Sequence, residues 1–179
     1  MAPLKSYDTR RTQTEVAIQY HFVSRGKVDI IKVIEYQYIG DFLGYPLYNL
    51  GFGDYDSFTD SVIDESNSNN GDIYPIFHTV LSTIPDFFEI FPGAMLMVKG
   101  SDSTPEFEEN CKKDCNRKCA DKCKKLNRRI NIYTGYVNKN LDALRKEYVL
   151  KGTLYTTNRM LIVEYEMNKK YSSVFLRKK

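Results

Sequence analysis

The sequence predicts an α+β fold, and three observations carry it. Apolar residues alternate with polar ones through the N-terminal third and again near the C-terminus, the period of half-buried strands. A block in the middle repeats its apolar residues at three and four, the period of a core-facing helix. The order is strands, helix, strand, helices, strands, which predicts one mixed or antiparallel sheet with its helices mostly on one face.

Val16, Ile18, Tyr20 and Phe22 alternate with Ala17, Gln19 and His21, so a strand is expected there. Ser24-Arg25-Gly26-Lys27 reads as a turn into a second β-rich run over 28–39, which makes a hairpin. Gly44, Gly51 and Gly53 punctuate a third strand over 45–52, and a short fourth is expected over 61–63. The polar stretch 64–72 is loop by composition. Over 73–91, Ile76, Phe77, Val80, Leu81, Ile84, Phe87 and Phe88 share one helical face. Pro75 suits the first turn of that helix, while Pro85 is expected to kink or split it. AMLMV at 94–98 fits a buried central strand. A cysteine-bearing helical segment over about 105–128 and a helix over 129–146 follow. Strands are then expected over 148–153, 160–167 and 171–176, with Asn158 in the first turn between them.

With 179 residues, 42% of them hydrophobic, the chain is expected to form a single domain over 1–179 that buries about two-thirds of its unfolded surface. It has no apolar run of about twenty residues, which argues against a membrane span. MAPLKSYDTRRTQTE, at the start, has no apolar core of the signal-peptide kind. A cytoplasmic protein is the expectation, in a compartment where thiols stay reduced and clustered cysteines favour metal or redox roles.

All four cysteines, Cys111, Cys115, Cys119 and Cys123, stand at one spacing of four. On a straight helix that spacing stacks them along one face. Cys111 and Cys123 would then lie about 18 Å apart, at about 1.5 Å per residue. A tetrahedral zinc needs every sulfur within about 2.3 Å of the ion, so one straight helix cannot supply all four ligands. Four readings stay open: a break into a hairpin, metal held by pairs together with another helix or subunit (zinc, or soft Cu(I)), disulfides, or small apolar side chains on a buried face.

The same segment is strongly basic. Lys112, Lys113, Arg117, Lys118, Lys122, Lys124, Lys125, Arg128 and Arg129 face only Asp114 and Asp121, giving +7 over 110–129 on a chain whose net charge is +3. Such an arm on a slightly acidic body suggests an anionic partner, an acidic protein face or nucleic acid, unless it is simply a solvated face.

Other candidates are weaker. Ser68-Asn69-Asn70-Gly71-Asp72 precedes a helix, where backbone N–H groups attract anions; the simpler reading is an Asn-Gly turn with Asp72 as N-cap. Arg129 and Tyr133 are added as candidate contacts to an anion or cofactor. His21 and His78 have no nucleophile motif beside them and read as structural, so no catalytic residue is assigned. Asp54, Asp56, Asp60, Asp64 and Glu65 lack the order of a calcium loop and read as a solvated acidic hairpin end.

YNLGFGDYD at 48–56, SNNGD at 68–72, the apolar helix ending at Pro92, the strand closing on Gly100-Ser101, and RINIY at 129–133 occur in that order. From about residue 14 to the C-terminus this pattern resembles a bacterial family with no assigned activity, domain of unknown function 6934. Members of that family run almost directly from the Gly-Ser turn into an Arg-x-Arg-Leu-Tyr stretch. Here the cysteine segment stands between them, and Asn131 replaces the second arginine. The resemblance thus implies that the thiols are an addition private to this chain. The order of loop, helix, strand and helix also resembles part of the acyl-CoA-dependent N-acetyltransferase fold, in which the loop holds a pyrophosphate; its full glycine-rich pattern is missing.

These readings favour a non-enzymatic binding or regulatory protein of the toxin–antitoxin or defence type, with a protein partner or self-association. An acyltransferase-like enzyme using Asn69, Asn70, Gly71, Asp72 and Arg129, or nucleic-acid binding through the 112–129 face, are the alternatives.

Overall fold

The computed structural model describes residues 6–59, 61–63, 70–115, 119, 123–155 and 159–179. Among them are three α-helices and nine mostly antiparallel strands, an α+β arrangement as predicted. The residues fall into two compact units, 1–94 and 95–179.

The first unit is a meander of β1 (Arg10–Gln13), β2 (Ala17–Ser24), β3 (Ile30–Phe42) and β4 (Tyr45–Asp56), with β5 (Ser61–Ile63) on β4. The register puts Ile18, Tyr36 and Leu50 side by side, all nearly fully buried. Tyr20, Ile34 and Phe52 form the next row, facing the same way because side chains repeat every second residue. Helix α1 (Ile73–Ile90) packs its Phe87 ring on Tyr36, 4.6 Å between centroids and 10° from parallel. Each aromatic ring so buried is worth about 1.5–3 kcal/mol, which makes this helix–sheet contact the main apolar element of the unit.

Two expectations need correction here. Helix α1 is one continuous helix through Pro85, so the expected split does not occur. Proline removes one backbone donor, but Phe77 and Val80 before it and Phe87 and Phe88 after it are all buried, so packing on both sides holds one helix. Strand β1 was not predicted. Its Arg-Arg-Thr-Gln sequence is exposed throughout and held by pairing with β2 rather than by burial.

The second unit orders its strands β6 (Met95–Lys99), β9 (Ser173–Lys178), β7 (Tyr148–Tyr155) and β8 (Met160–Glu164), each pair antiparallel. After β6 comes a short 3-10 turn, Ser101–Ser103, then α2 (Pro105–Asp114) and α3 (Arg128–Glu147). Leu96 of β6 and Ile130, Tyr133 and Leu141 of α3 are buried in this unit. The expected turn at Asn158 lies outside the described residues.

Candidate functional site

Helix α2 starts on a well-formed cap. Thr104 accepts from the Phe107 N–H at 3.1 Å, Pro105 occupies the first turn, and Glu106 and Glu108 stand at the positive end of the helix dipole. Lys112 and Lys113 stand at its negative end, and Lys112 pairs with Glu108 at 3.3 Å. The helix then stops. Cys115 is extended (φ −75°, ψ 105°), so the predicted helical segment ends after its first cysteine. No glycine or proline breaks it. A thiol stripe on a lone helix would face water, whereas turning the chain back sets thiol against thiol.

The sulfurs of Cys111 and Cys123 come within 3.1 Å, and those of Cys115 and Cys119 within 3.5 Å. Cys111 lies on the last turn of α2 and Cys115 directly caps it, so the two pairs are neighbours along the chain. Of the four readings left open, the described residues show the helix broken at Cys115, and none of the four cysteines is in a disulfide. Cys123 is buried and the other three half-exposed.

Their protons are unequally held. The Cys123 contact, with burial and Cys115 behind it, pushes the Cys111 thiol up to about 12. Cys123 is shifted down, first by its bond with Cys111 and then, against burial, by the backbone N–H groups of Lys125 and Leu126. The Lys124 N–H donates to Cys119 at 3.2 Å and draws it down, but Cys115 and burial raise it on balance.

Lys112, Lys113, Lys124 and Arg128 are exposed and Lys125 is half-buried; Arg117, Lys118 and Lys122 lie outside the described residues. A tight turn, with the Leu126 N–H on the Cys123 carbonyl at 3.1 Å, leads to Asn127 in the left-handed region (φ 59°) and into α3. Buried Asp102 secures this entry. Its carboxylate accepts from the Arg129 N–H at 3.0 Å, and its carbonyl accepts from the Asn127 N–H at 2.9 Å. Arg129 donates from Nη1 to Ser101 Oγ at 2.9 Å. Tyr133 is a core residue whose burial pushes its phenol up to about 12. The two predicted anion contacts thus have structural work at the start of α3.

In the first unit, Asn69 lies outside the described residues, but its neighbours are clear. Asn70 donates from Nδ2 to the Val28 carbonyl at 2.9 Å and to Ser24 Oγ at 3.1 Å. It packs so closely on Gly26 that a Cβ there would stand 2.3 Å from it. Gly71 has φ +73°, a conformation that favours glycine. Asp72 stands at the N-cap position of α1, as expected, and its carbonyl accepts from the Ile76 N–H at 3.0 Å, but its side chain makes no cap bond. Its Oδ2 accepts instead from Tyr7 and Ser24, both at 2.6 Å. Two protein hydroxyls outbid the local helix N–H groups for the carboxylate. The described part of SNNGD is therefore a clasp on the β2–β3 turn.

The acidic hairpin end also divides. Asp56 caps its own turn, accepting from the Phe58 N–H and Thr59 hydroxyl at 2.9 Å each, and its pKa is lowered by these bonds. Asp54 is buried and paired with Lys32 across β3 and β4, which corrects its reading as solvated. Sequence reasoning missed Lys32. Its parity with Ile34 and Tyr36, a charge in a core-facing register, was the available signal. Asp60, Asp64 and Glu65 lie outside the described residues. His21 sets its ring edge-on to Tyr55, 5.3 Å between centroids, as a structural histidine does.

A family model matches residues 4–106, more than half of the chain. The protein belongs to the family of unknown function DUF6934. The match covers the clasp, α1 and β6 and stops before Cys111, so the thiol group lies outside the DUF6934 region. It also stops short of the resemblance at 129–133. No curated protein and no solved structure matches this DUF6934 chain. Among the described residues, no helix is long and apolar enough to cross a membrane.

Proposed function

We propose that this DUF6934 protein is a non-enzymatic binding protein, one half of a small regulatory pair of the toxin–antitoxin or defence type, working in the bacterial cytoplasm. One observation carries the reading. Lys112, Lys113, Lys124 and Arg128, which flank cysteines whose sulfurs meet in pairs, are all exposed, so cations on both sides of the thiol group in the chain are open to a partner. An exposed group of cations steers an anionic surface toward it and disfavours a cationic one.

The favoured partner is an acidic protein face. Glu106, Glu108 and Glu109 lie on α2 beside the lysines, and Lys112 is already paired with Glu108, so the positive surface is interrupted. A phosphate-tracking groove calls for a continuous one. The acyltransferase alternative meets a carboxylate, Asp72, at the start of α1, where a pyrophosphate would have to sit.

Charge reversal of the exposed Lys112, Lys113, Lys124 and Arg128 to glutamate in the full-length protein tests this. The expected result is a defined protein complex in unvaried lysate that is lost in the variant while the fold persists. A complex indifferent to the reversal, binding only to RNA or DNA with a steep salt dependence, or a thermal shift with acetyl-CoA and no protein partner would each overturn it.

A further inference from the structure

We infer that the hairpin is a four-thiolate metal centre, in which Cys111, Cys115, Cys119 and Cys123 together take one divalent zinc-like ion. This inference stands on the sulfur geometry and is independent of the partner reading.

Tetrahedral zinc with Zn–S bonds of about 2.3 Å separates its sulfurs by about 3.8 Å. The two close pairs here, at 3.1 and 3.5 Å, are already near that separation. Cys111 on the last turn of α2 and Cys115 at its cap bring one pair beside the other. As the described side chains stand, no three surround a single point; the sulfurs form two adjacent pairs. Binding then requires the two pairs to close on one another. The spacing of three residues between successive cysteines falls within the range zinc sites use.

Two further features favour thiolates over disulfides. The Lys124 backbone N–H donates to Cys119 Sγ at 3.2 Å, a bond that stabilises a charged sulfur and has little to offer a neutral disulfide. Lys112, Lys113, Lys124 and Lys125 flank the cysteines, and a divalent ion on four thiolates keeps two negative charges that these cations offset. The arm's basicity thus has a local purpose beside any partner. A centre of this kind would be structural: all four positions are filled by protein, leaving none for substrate.

Cobalt(II) is the probe. The full-length protein, reduced and metal-free, is titrated anaerobically with cobalt(II) and then with zinc(II). The expected result is saturation at about one equivalent, with strong ligand-field bands in the red and a sulfur-to-cobalt band in the near ultraviolet, both removed by zinc. Cys119→Ser and Cys123→Ser should each weaken binding at least about tenfold, the lower end of what losing even an outer partner costs. Circular dichroism of each variant verifies that the fold persists, and protection of the wild-type thiols from alkylation by zinc gives a readout that needs no variant. Weak octahedral cobalt spectra, thiols that react equally with and without zinc, or Cys111–Cys123 and Cys115–Cys119 disulfides in anaerobically purified protein would overturn the assignment.

Discussion

Cys111 and Cys123 are twelve positions apart in the chain, and their sulfurs are 3.1 Å apart. Had α2 continued, about 18 Å would separate the two residues. Mild oxidation of the metal-free protein reads this relationship directly. Peptide mapping should find Cys111 joined to Cys123 and Cys115 to Cys119. A continuous helix would give the neighbours Cys111–Cys115 and Cys119–Cys123, and their dominance would exclude the hairpin.

The clasp predicts a stability effect far from any site. Asp72→Ala removes the acceptor of two hydroxyls, from Tyr7 and Ser24. Hydrogen bonds to charged groups are worth about 1.5–3 kcal/mol each, and water recovers part of that for these half-buried donors. A loss of about 2–3 kcal/mol in urea unfolding is expected. Gly26→Ala, which drives a methyl into Asn70, should also destabilise. Asp72→Ala within about 0.5 kcal/mol of wild type would show that the clasp is unimportant.

Lys32 and Asp54 form a buried ion pair, their side chains 5% and 12% exposed. Lys32→Met strands a carboxylate among apolar residues and should cost about 3–5 kcal/mol. The double substitution Lys32→Met, Asp54→Leu replaces the pair with apolar bulk and should recover most of that loss. If the double variant is as unstable as the single one, packing rather than charge dominates the position.

Two tyrosines set the alkaline limit of the second unit. Burial raises Tyr133 and Tyr165 from 10.0 to about 12. The fold favours their protonated forms, so the stability they contribute is fully present below pH 10 and lost as pH rises toward 12. Tyrosinate absorbance should rise in two phases, the later one coinciding with loss of circular dichroism. One phase near pH 10 for all 14 tyrosines would contradict the burial.

Much of the fold could be read from residue patterns. The alternation through Ile18, Tyr20 and Phe22 marks β2, and the three–four repeat through Phe87 marks α1, because burial of one face writes its period into the chain. Strand β1 could not be found that way, since all four of its residues are exposed and backbone pairing leaves no apolar trace. Asp72 takes the expected N-cap position, but local spacing could not show that its carboxylate goes to Tyr7 and Ser24, 65 and 48 residues away. At the thiols, spacing misled. A step of four is helical, yet α2 ends at Asp114 with Cys115 extended, and no glycine or proline signals that end. The family motifs, by contrast, pointed correctly to DUF6934 and to the cysteines as an addition outside its matched region.

Metal content and thiol accessibility of the full-length protein, purified anaerobically, test the thiol centre most directly. About one equivalent of zinc, with all four cysteines protected until a chelator removes it, is the result expected of a four-thiolate hairpin. Metal-free protein whose cysteines alkylate freely in the folded state, and whose alkylation is unchanged by added zinc, would contradict it.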